Sequence, residues 1–267
     1  TIQKVVSSGH SDWFSFYVEG LILNKVNKLE KAFYSFRKGL ALAGNNQLLI
    51  ESIINVLIDQ NQRKLAMSYL QKFKELSINS AKILFYQGKI LSNKYEDQKI
   101  QVFKKVLEMN PAFFPALFEI SKFEKALKKS PEFEEKIYLK ILGNRDKLRV
   151  KEIAEFNNRL ALLYFNKGSY QLALQPLKEI LNTYPKSYST NELLAKTYLK
   201  LNDLDKALIY FDKCYSLNMN NPILHFNIAS IYLTKDDRKM AVWHLKKAIK
   251  LNPSFNEAKR VLDKLEE

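Results

Sequence analysis

Residues 157–185 read NNRLALLYFNKGSYQLALQPLKEILNTYP, and residues 225–253 read HFNIASIYLTKDDRKMAVWHLKKAIKLNP. The two stretches start 68 residues apart, which is twice 34, and a third copy lies between them. Small and aromatic residues recur at 34-residue spacing in the sets Ala161, Ala195 and Ala229, then Tyr164, Tyr198 and Tyr232, then Ala173, Ala207 and Ala241. Self-similarity at a fixed period of this length indicates a repeat architecture rather than a single compact core.

Each repeat is predicted to form two amphipathic helices, because its apolar residues recur at three- and four-residue spacings. The alanines have a physical role, since two helices approach closely only where a small side chain leaves room. Pro185 and Pro253 follow the second helix of their repeats, and proline cannot continue a helix. We therefore expect the second helices to end there.

The pattern of small, aromatic, small, aromatic and proline positions resembles the tetratricopeptide-repeat family. The resemblance covers three units between residues 154 and 255. It implies an all-α fold, a right-handed α-solenoid of helical hairpins, in which the first helices of successive units line a groove.

The N-terminal half shows the same 34-residue period, but at fewer positions. Gly20 and Gly88 are 68 residues apart at the small position of the first helix, and Ala32 and Ala66 are 34 apart at that of the second. Units are predicted to start near Trp13, Gln47, Ala81 and Phe114, which makes about seven hairpins in all. The predicted division is an N-terminal subarray at 1–142, an irregular junction at 143–153 and a C-terminal subarray at 154–267 with a capping helix at 255–267.

Composition limits the function without deciding it. The chain has 267 residues, 46% of them hydrophobic, and a formal net charge of +15. No apolar run reaches the roughly 20 residues that a membrane span needs. The sequence begins at Thr1 rather than Met, so an upstream signal or anchor could have been removed. The compartment is therefore not determined: the protein is cytoplasmic or, if such a segment was removed, periplasmic or membrane-associated. The oligomeric state is not determined either.

The residues that usually carry chemistry are sparse. The three histidines have no metal-ligand spacing, although His225 and His244 lie on the two helices of one hairpin and could meet. Cys214 occupies an interior position of its repeat, where a buried thiol is expected. The pairs Asp203 with Asp205 and Asp236 with Asp237 lie at predicted helix–helix turns, where carboxylates cap helices. We therefore expect no catalytic residues, no metal and no cofactor.

The resemblance implies that groove residues lie at set positions of each first helix, which repeat packing leaves less constrained. They are Phe14, Tyr17, Asn55, Lys82, Phe85, Lys89, Phe118, Lys122, Asn158, Lys196 and Phe226. In the middle of the set, aromatic residues alternate with lysines, which suits an extended peptide that carries acidic groups and apolar anchors. The alternative is that Phe85 and Phe118 simply pack against each other across the groove.

The sequence thus favours a protein–protein interaction scaffold or adaptor over an enzyme. The partner would be a protein or peptide with some acidic character, held within a larger assembly. Two other interpretations remain: a basic solenoid that binds nucleic acid, and a regulatory subunit of an enzyme located elsewhere. Phosphate binding would weaken steeply with salt, which separates the nucleic-acid interpretation from the first.

Overall fold

The computed structural model describes residues 12–77 and 79–266, and these residues form sixteen α-helices and no strand. The helices are α1 (Trp13–Lys25), α2 (Leu29–Ala43), α3 (Gln47–Asp59), α4 (Arg63–Leu76), α5 (Ser80–Ile90), α6 (Glu96–Met109), α7 (Phe114–Ile120), α8 (Glu124–Leu127), α9 (Pro131–Leu142), α10 (Val150–Asn166), α11 (Tyr170–Thr183), α12 (Tyr188–Lys200), α13 (Leu204–Leu217), α14 (Pro222–Thr234), α15 (Arg238–Leu251) and α16 (Asn256–Glu266). Short 3₁₀ turns lie at Asn93–Tyr95 and Arg145–Lys147. The prediction of an all-α chain of hairpins is confirmed.

The first compact unit comprises residues 1–128. In its described part, α1 packs on α2, α3 on α4 and α5 on α6, and each hairpin also packs on the next. Helices α1 and α3 begin at the predicted residues Trp13 and Gln47, and α5 begins one residue before the predicted Ala81. The interior is filled by large apolar side chains that are fully buried, including Phe36, Phe73 and Phe103.

The second compact unit comprises residues 129–267. Helix α9 packs on α10, the hairpins α10–α11, α12–α13 and α14–α15 follow, and α16 packs on α15. The last helix is the predicted cap: Ala258 is fully buried against Leu245 and Ala248, and Phe255 and Leu262 cover the same cluster. The face of α16 turned away from this cluster carries exposed charged residues, as a capping helix requires.

The division after residue 128 differs from the junction predicted at 143–153. The degenerate fourth hairpin is divided, with α7 in the first unit and α9 in the second. Helix α8 between them has only four residues. The 143–153 segment instead lies within the second unit, where Arg145 forms an ion pair with Glu179.

Limited proteolysis with trypsin distinguishes the boundary after residue 128 from the one predicted at 143–153. We expect the first cut after Lys125, Lys128 or Lys129, because all three are exposed and adjoin a helix too short to be stable alone. Mass spectrometry of the early fragments identifies the site. First cleavage after Arg145 or Lys147 would support the boundary predicted from the sequence.

The turns inside five of the hairpins share one backbone conformation. Asn27 and Asn61 have φ values of 58° and 61°, and Gly168, Asn202 and Asp236 have values of 75°, 59° and 60°. Within each group the residues are 34 apart. Glycine and, among the others, asparagine and aspartate adopt this left-handed region most readily.

The residue after the left-handed position caps the second helix in two of these turns. Asp203 accepts a hydrogen bond from the backbone N–H of Lys206 at 3.2 Å, and Asp237 accepts one from that of Met240 at 3.0 Å. The expectation that these acidic pairs serve helix capping is met by Asp203 and Asp237. They are structural carboxylates rather than an acid–base pair.

The small positions of the first helices match the size of the side chain they face. The Cβ of an alanine at residue 20 would lie 2.4 Å from the fully buried ring of Phe36, and one at residue 88 would lie 2.7 Å from that of Phe103. Glycine is therefore required by space at both positions. At the equivalent positions of the second unit stand the fully buried alanines Ala161, Ala195 and Ala229.

Gly20→Ala is expected to lower the free energy of unfolding of the first unit by about 1–2 kcal/mol. A separation of 2.4 Å from a buried ring puts overpacking near the upper end of its range of about 1–3 kcal/mol, and the higher helix propensity of alanine offsets roughly 1 kcal/mol of that cost. Thermal denaturation followed by circular dichroism measures this change in stability. Adding Phe36→Leu should restore part of the lost free energy of unfolding. The control is Gly143→Ala, where the new Cβ would lie 3.4 Å from the Leu139 carbonyl oxygen and φ is −67°. A Gly20→Ala protein as stable as the parent would contradict the close approach.

Candidate partner-binding site

Polar side chains of α3 and α5 meet on one face of the first unit. Lys89 Nζ donates to Asn55 Oδ1 at 2.9 Å, and these two residues occupy the same repeat position 34 residues apart. Lys82 Nζ forms an ion pair with Glu51 Oε1 at 2.5 Å. The structure therefore places predicted groove residues of successive first helices side by side.

Tyr86 joins the two pairs. Its hydroxyl donates to Glu51 Oε2 and accepts from Asn55 Nδ2, both at 3.3 Å. Burial and the neighbouring Glu51 carboxylate raise the pKa of Tyr86, so the phenol stays protonated. We call the five residues Glu51, Asn55, Lys82, Tyr86 and Lys89 the inner-face network. Tyr86 was not among the predicted site residues, because it is buried like a packing residue and its repeat position gives no separate signal.

Lys89 is the least solvated cation of the inner-face network. Burial lowers its pKa, and the carboxylates of Glu119 and Asp59 partly offset that effect. Its Nζ lies 6.0 Å from the centre of the Phe85 ring. The only hydrogen bond it makes within residues 12–77 and 79–266 is to the neutral amide oxygen of Asn55. An ammonium group without a bonded carboxylate in such a place gains from an acidic ligand.

Helix α7 and the turn after it carry two further predicted residues, Phe118 and Lys122. Lys122 Nζ donates to Glu119 Oε1 at 2.8 Å and lies 5.5 Å from the centre of the Phe118 ring. Phe118 is half-buried, and its ring lies 6.0 Å from that of Phe114. Of the three predicted groove lysines in the first unit, Lys82 and Lys122 therefore already have a carboxylate partner in the chain.

Phe85 is a core residue rather than an exposed anchor. Only 7% of it is exposed, and its ring lies 5.8 Å from that of Phe103 and 5.4 Å from that of Phe113. The expectation of an accessible aromatic at this position is therefore corrected. Its repeat position points to the groove, but the bulky residues on α6 and before α7 enclose the ring.

The first helix α1 does present aromatic surface. Phe14 is 54% exposed, and its ring lies 5.7 Å from that of Trp13 and 6.3 Å from that of Tyr17. Tyr17 is half-buried, with its ring 6.0 Å from that of Phe36. Of the two predicted groove residues on α1, Phe14 is thus the one available for contact.

The predicted residues of the second unit have separate surroundings. Asn158 is exposed on α10. Lys196 pairs with Glu192 at 2.7 Å on α12. The Phe226 ring lies 5.1 Å from that of Phe255 and covers the last core cluster, so it serves packing between α14 and the segment before α16.

His225 and His244 form a buried hydrogen-bonded pair. Their Nδ1 atoms lie 3.0 Å apart, and His225 Nε2 lies 3.1 Å from the carbonyl oxygen of Met219. Because a carbonyl only accepts, His225 Nε2 must carry a proton, and its Nδ1 then accepts from the Nδ1–H of His244. Asn191, one repeat earlier, donates to the Pro185 carbonyl at 3.2 Å. The pair therefore ties the loop before its hairpin, as the asparagine does in the preceding repeat.

Other groups give no sign of reactive chemistry. Cys214 is fully buried, and burial raises the pKa of its thiol to about 12, so it stays protonated as expected. Throughout the part of the chain that the structure describes, no three His, Cys, Asp or Glu side chains come together in a way that could hold a metal ion. Within the same residues, no helix has the length and apolar character to cross a bilayer.

Comparison with known proteins agrees with this architecture. Residues 159–187, 188–221 and 223–255 match the tetratricopeptide-repeat family. A crystal structure of the C-terminal part of a TPR repeat-containing protein from Cytophaga hutchinsonii is similar, with a TM-score of 0.57 and 17% identity over 91% of this chain and 98% of that one. At this identity the similarity shows the fold alone.

Two curated proteins are similar in sequence. One is the uncharacterized protein ycf37 of Pyropia yezoensis, 28% identical over 151 residues, which are 57% of this chain and 77% of the algal protein. The other is the anaphase-promoting complex subunit CDC16 of Saccharomyces cerevisiae, 29% identical over 112 residues, or 39% of this chain. The match spans only 13% of the yeast subunit's length.

Proposed function

Because this chain is a tetratricopeptide-repeat protein, we propose that it is a scaffold whose first unit holds an extended segment of another protein along α3, α5 and α7. Stacked helical repeats serve as protein-interaction scaffolds, and their first helices form the concave surface that such proteins use. They act by binding rather than by catalysis, and we extend this to the present chain. The identity of the partner is not encoded by the fold.

The observation that carries the proposal is the position of Lys89. Its ammonium group is largely removed from water, held in place by Asn55 and flanked by the ordered Glu51–Lys82 pair. A side chain fixed in this way loses little entropy when a ligand binds. We infer that a carboxylate of the partner binds Lys89, while an apolar side chain of the same segment contacts the half-buried Phe118. Since Lys82 and Lys122 are already paired, one acidic group rather than a long acidic run suffices.

The test combines site-specific cross-linking with a matched variant. A photoreactive phenylalanine analogue at position 122, in the turn after α7, should cross-link the partner in native extracts, whereas the same analogue at the exposed Lys105 on the second helix α6 should not. The captured segment, remade as a peptide, should then bind Lys89→Met at least about tenfold more weakly, which corresponds to the loss of one charge-assisted contact. Lys105→Met is the control.

Equal cross-linking from both positions, or a Lys89→Met protein that binds like the parent, would contradict the proposal that the partner binds along α3, α5 and α7. Capture of nucleic acid, with affinity that falls steeply as salt rises, would favour the basic nucleic-acid binder instead. Circular dichroism of each variant excludes loss of helix as the cause of weaker binding.

A further inference from the structure

A cavity of about 300 Å³ lies on another part of the first unit, between α2, α3 and α4. Its lining includes Arg37 and Leu40 from α2, Asn45 from the loop before α3, Ile50 from α3, and Tyr69 and Lys72 from α4. Three helices and a loop thus converge on it. Its residues are distinct from the inner-face network.

Both charged residues that line this cavity are positive, and both are exposed. Arg37 and Lys72 are the charged residues of its lining, and no carboxylate lines it. In the described residues neither cation has an ion pair; the Arg37 guanidinium lies 5.6 Å from the centre of the Phe33 ring, and Lys72 Nζ lies 5.4 Å from that of the Tyr69 ring. A cation above a ring keeps its N–H groups available for hydrogen bonds. Lys82 and Lys122, by contrast, are neutralised by Glu51 and Glu119.

The rest of the lining supplies further donors and some apolar surface. The Tyr69 hydroxyl and the Asn45 amide can both donate hydrogen bonds to an anion. Leu40 is half-buried and Ala41 is exposed, so these two lining residues offer a little apolar surface, whereas Ile50 is only 1% exposed. The loop that carries Asn45 turns at Gly44, whose φ of 64° and ψ of −124° only glycine adopts readily. An alanine Cβ at residue 44 would meet no atom within 4 Å, so backbone conformation rather than space requires the glycine.

We propose that this cavity binds a phosphomonoester, with Arg37 and Lys72 on the phosphate and Leu40 and Ala41 against the carbon body. A phosphomonoester carries a charge of roughly −1.5 to −2 at neutral pH, which two cations balance, whereas a carboxylate needs only one. The planar guanidinium binds two phosphate oxygens at once, and lysine adds a point charge. The cavity is at the small end of ligand sites, so it takes one phosphorylated side chain or one small phosphate ester rather than a nucleotide with its base.

Isothermal titration of the full chain at about 150 mM salt, close to physiological ionic strength, tests this. The probes are inorganic phosphate, O-phosphoserine, O-phosphotyrosine, a heptapeptide with a central phosphotyrosine, and the unphosphorylated forms of the last three. We expect the phosphate esters to bind and their unphosphorylated forms not to bind. Arg37→Gln and Lys72→Gln should each weaken binding about tenfold or more, as loss of a hydrogen bond to a charged group does.

Lys213→Gln is the matched control, because Lys213 Nζ also lies above a tyrosine ring, 4.5 Å from the centre of Tyr210, but in the second unit. Tighter binding of the peptide than of O-phosphotyrosine identifies a phosphorylated protein as the source of the ligand, and equal affinity identifies a free ester. Absence of saturable binding, equal binding of glutamate and O-phosphoserine, or unchanged affinity in Arg37→Gln and Lys72→Gln would overturn the proposal. Lys89→Met should leave this binding intact, so the two sites are tested separately.

Discussion

Phe85→Ala is expected to lower the free energy of unfolding of the first unit by about 3–5 kcal/mol, the range found for removal of a buried phenylalanine ring. The ring is 7% exposed and packs against Phe103 and Phe113, so its loss leaves a cavity that helices α5 and α6 cannot close without moving. Urea denaturation followed by tryptophan fluorescence measures the change. The chain has two tryptophans, so a Trp243→Phe background leaves Trp13 as the reporter of the first unit.

Phe118→Ala is the control for this prediction. Phe118 is half-buried, so its truncation should cost less than half as much. A Phe85→Ala protein that unfolds at the same urea concentration as the parent would contradict the assignment of Phe85 to the core. The comparison also matters for function, because weaker partner binding by Phe85→Ala would reflect unfolding, whereas Phe118 and Lys89 can be tested in a folded protein.

Acidification from pH 6.5 to pH 4 is expected to destabilise the second unit by about 3 kcal/mol through His244 alone. Burial, followed by the nearby His225, lowers the pKa of His244 from 6.5 to about 4, and burial also lowers that of His225. Because both pKa values are lower in the folded chain than in the unfolded chain, the unfolded chain takes up more protons as pH falls below 6.5. The stabilisation is therefore complete above pH 6.5 and is lost progressively as pH falls towards 4.

The preceding repeat supplies the matched control for the histidine pair. Tyr210 stacks on Tyr198 at 5.6 Å between ring centres, as His244 stacks on Tyr232 at 5.7 Å, and Asn191 holds the loop as His225 does. The variant His225→Asn/His244→Tyr should thus keep the fold and lose this part of the pH dependence. Thermal denaturation at pH 4.5, 5.5 and 7 gives the comparison. A variant with the same acid sensitivity as the parent would show that other groups, such as paired carboxylates, dominate.

The sequence by itself determined the repeat and its local structure. The spacing of 34 residues between small, aromatic and turn positions specified two helices per unit, since each unit repeats the same contacts with its neighbours. It also placed Asn55 and Lys89 at equivalent positions, and the structure brings them within hydrogen-bond distance. Left-handed turn residues such as Asn202 and capping residues such as Asp203 follow from local backbone chemistry alone.

Only the tertiary structure decided which groove residues remain accessible and which are paired. Phe85 and Phe118 are both aromatic residues predicted to line the groove, yet the first is enclosed by Phe103 and Phe113 and the second is half-exposed. Lys82 finds Glu51 across a helix interface, a pairing that periodicity does not specify. The reason is physical: a repeat period sets the direction in which a side chain leaves its helix, but burial and charge depend on the volume and chemistry of the side chains that the neighbouring helix places opposite it.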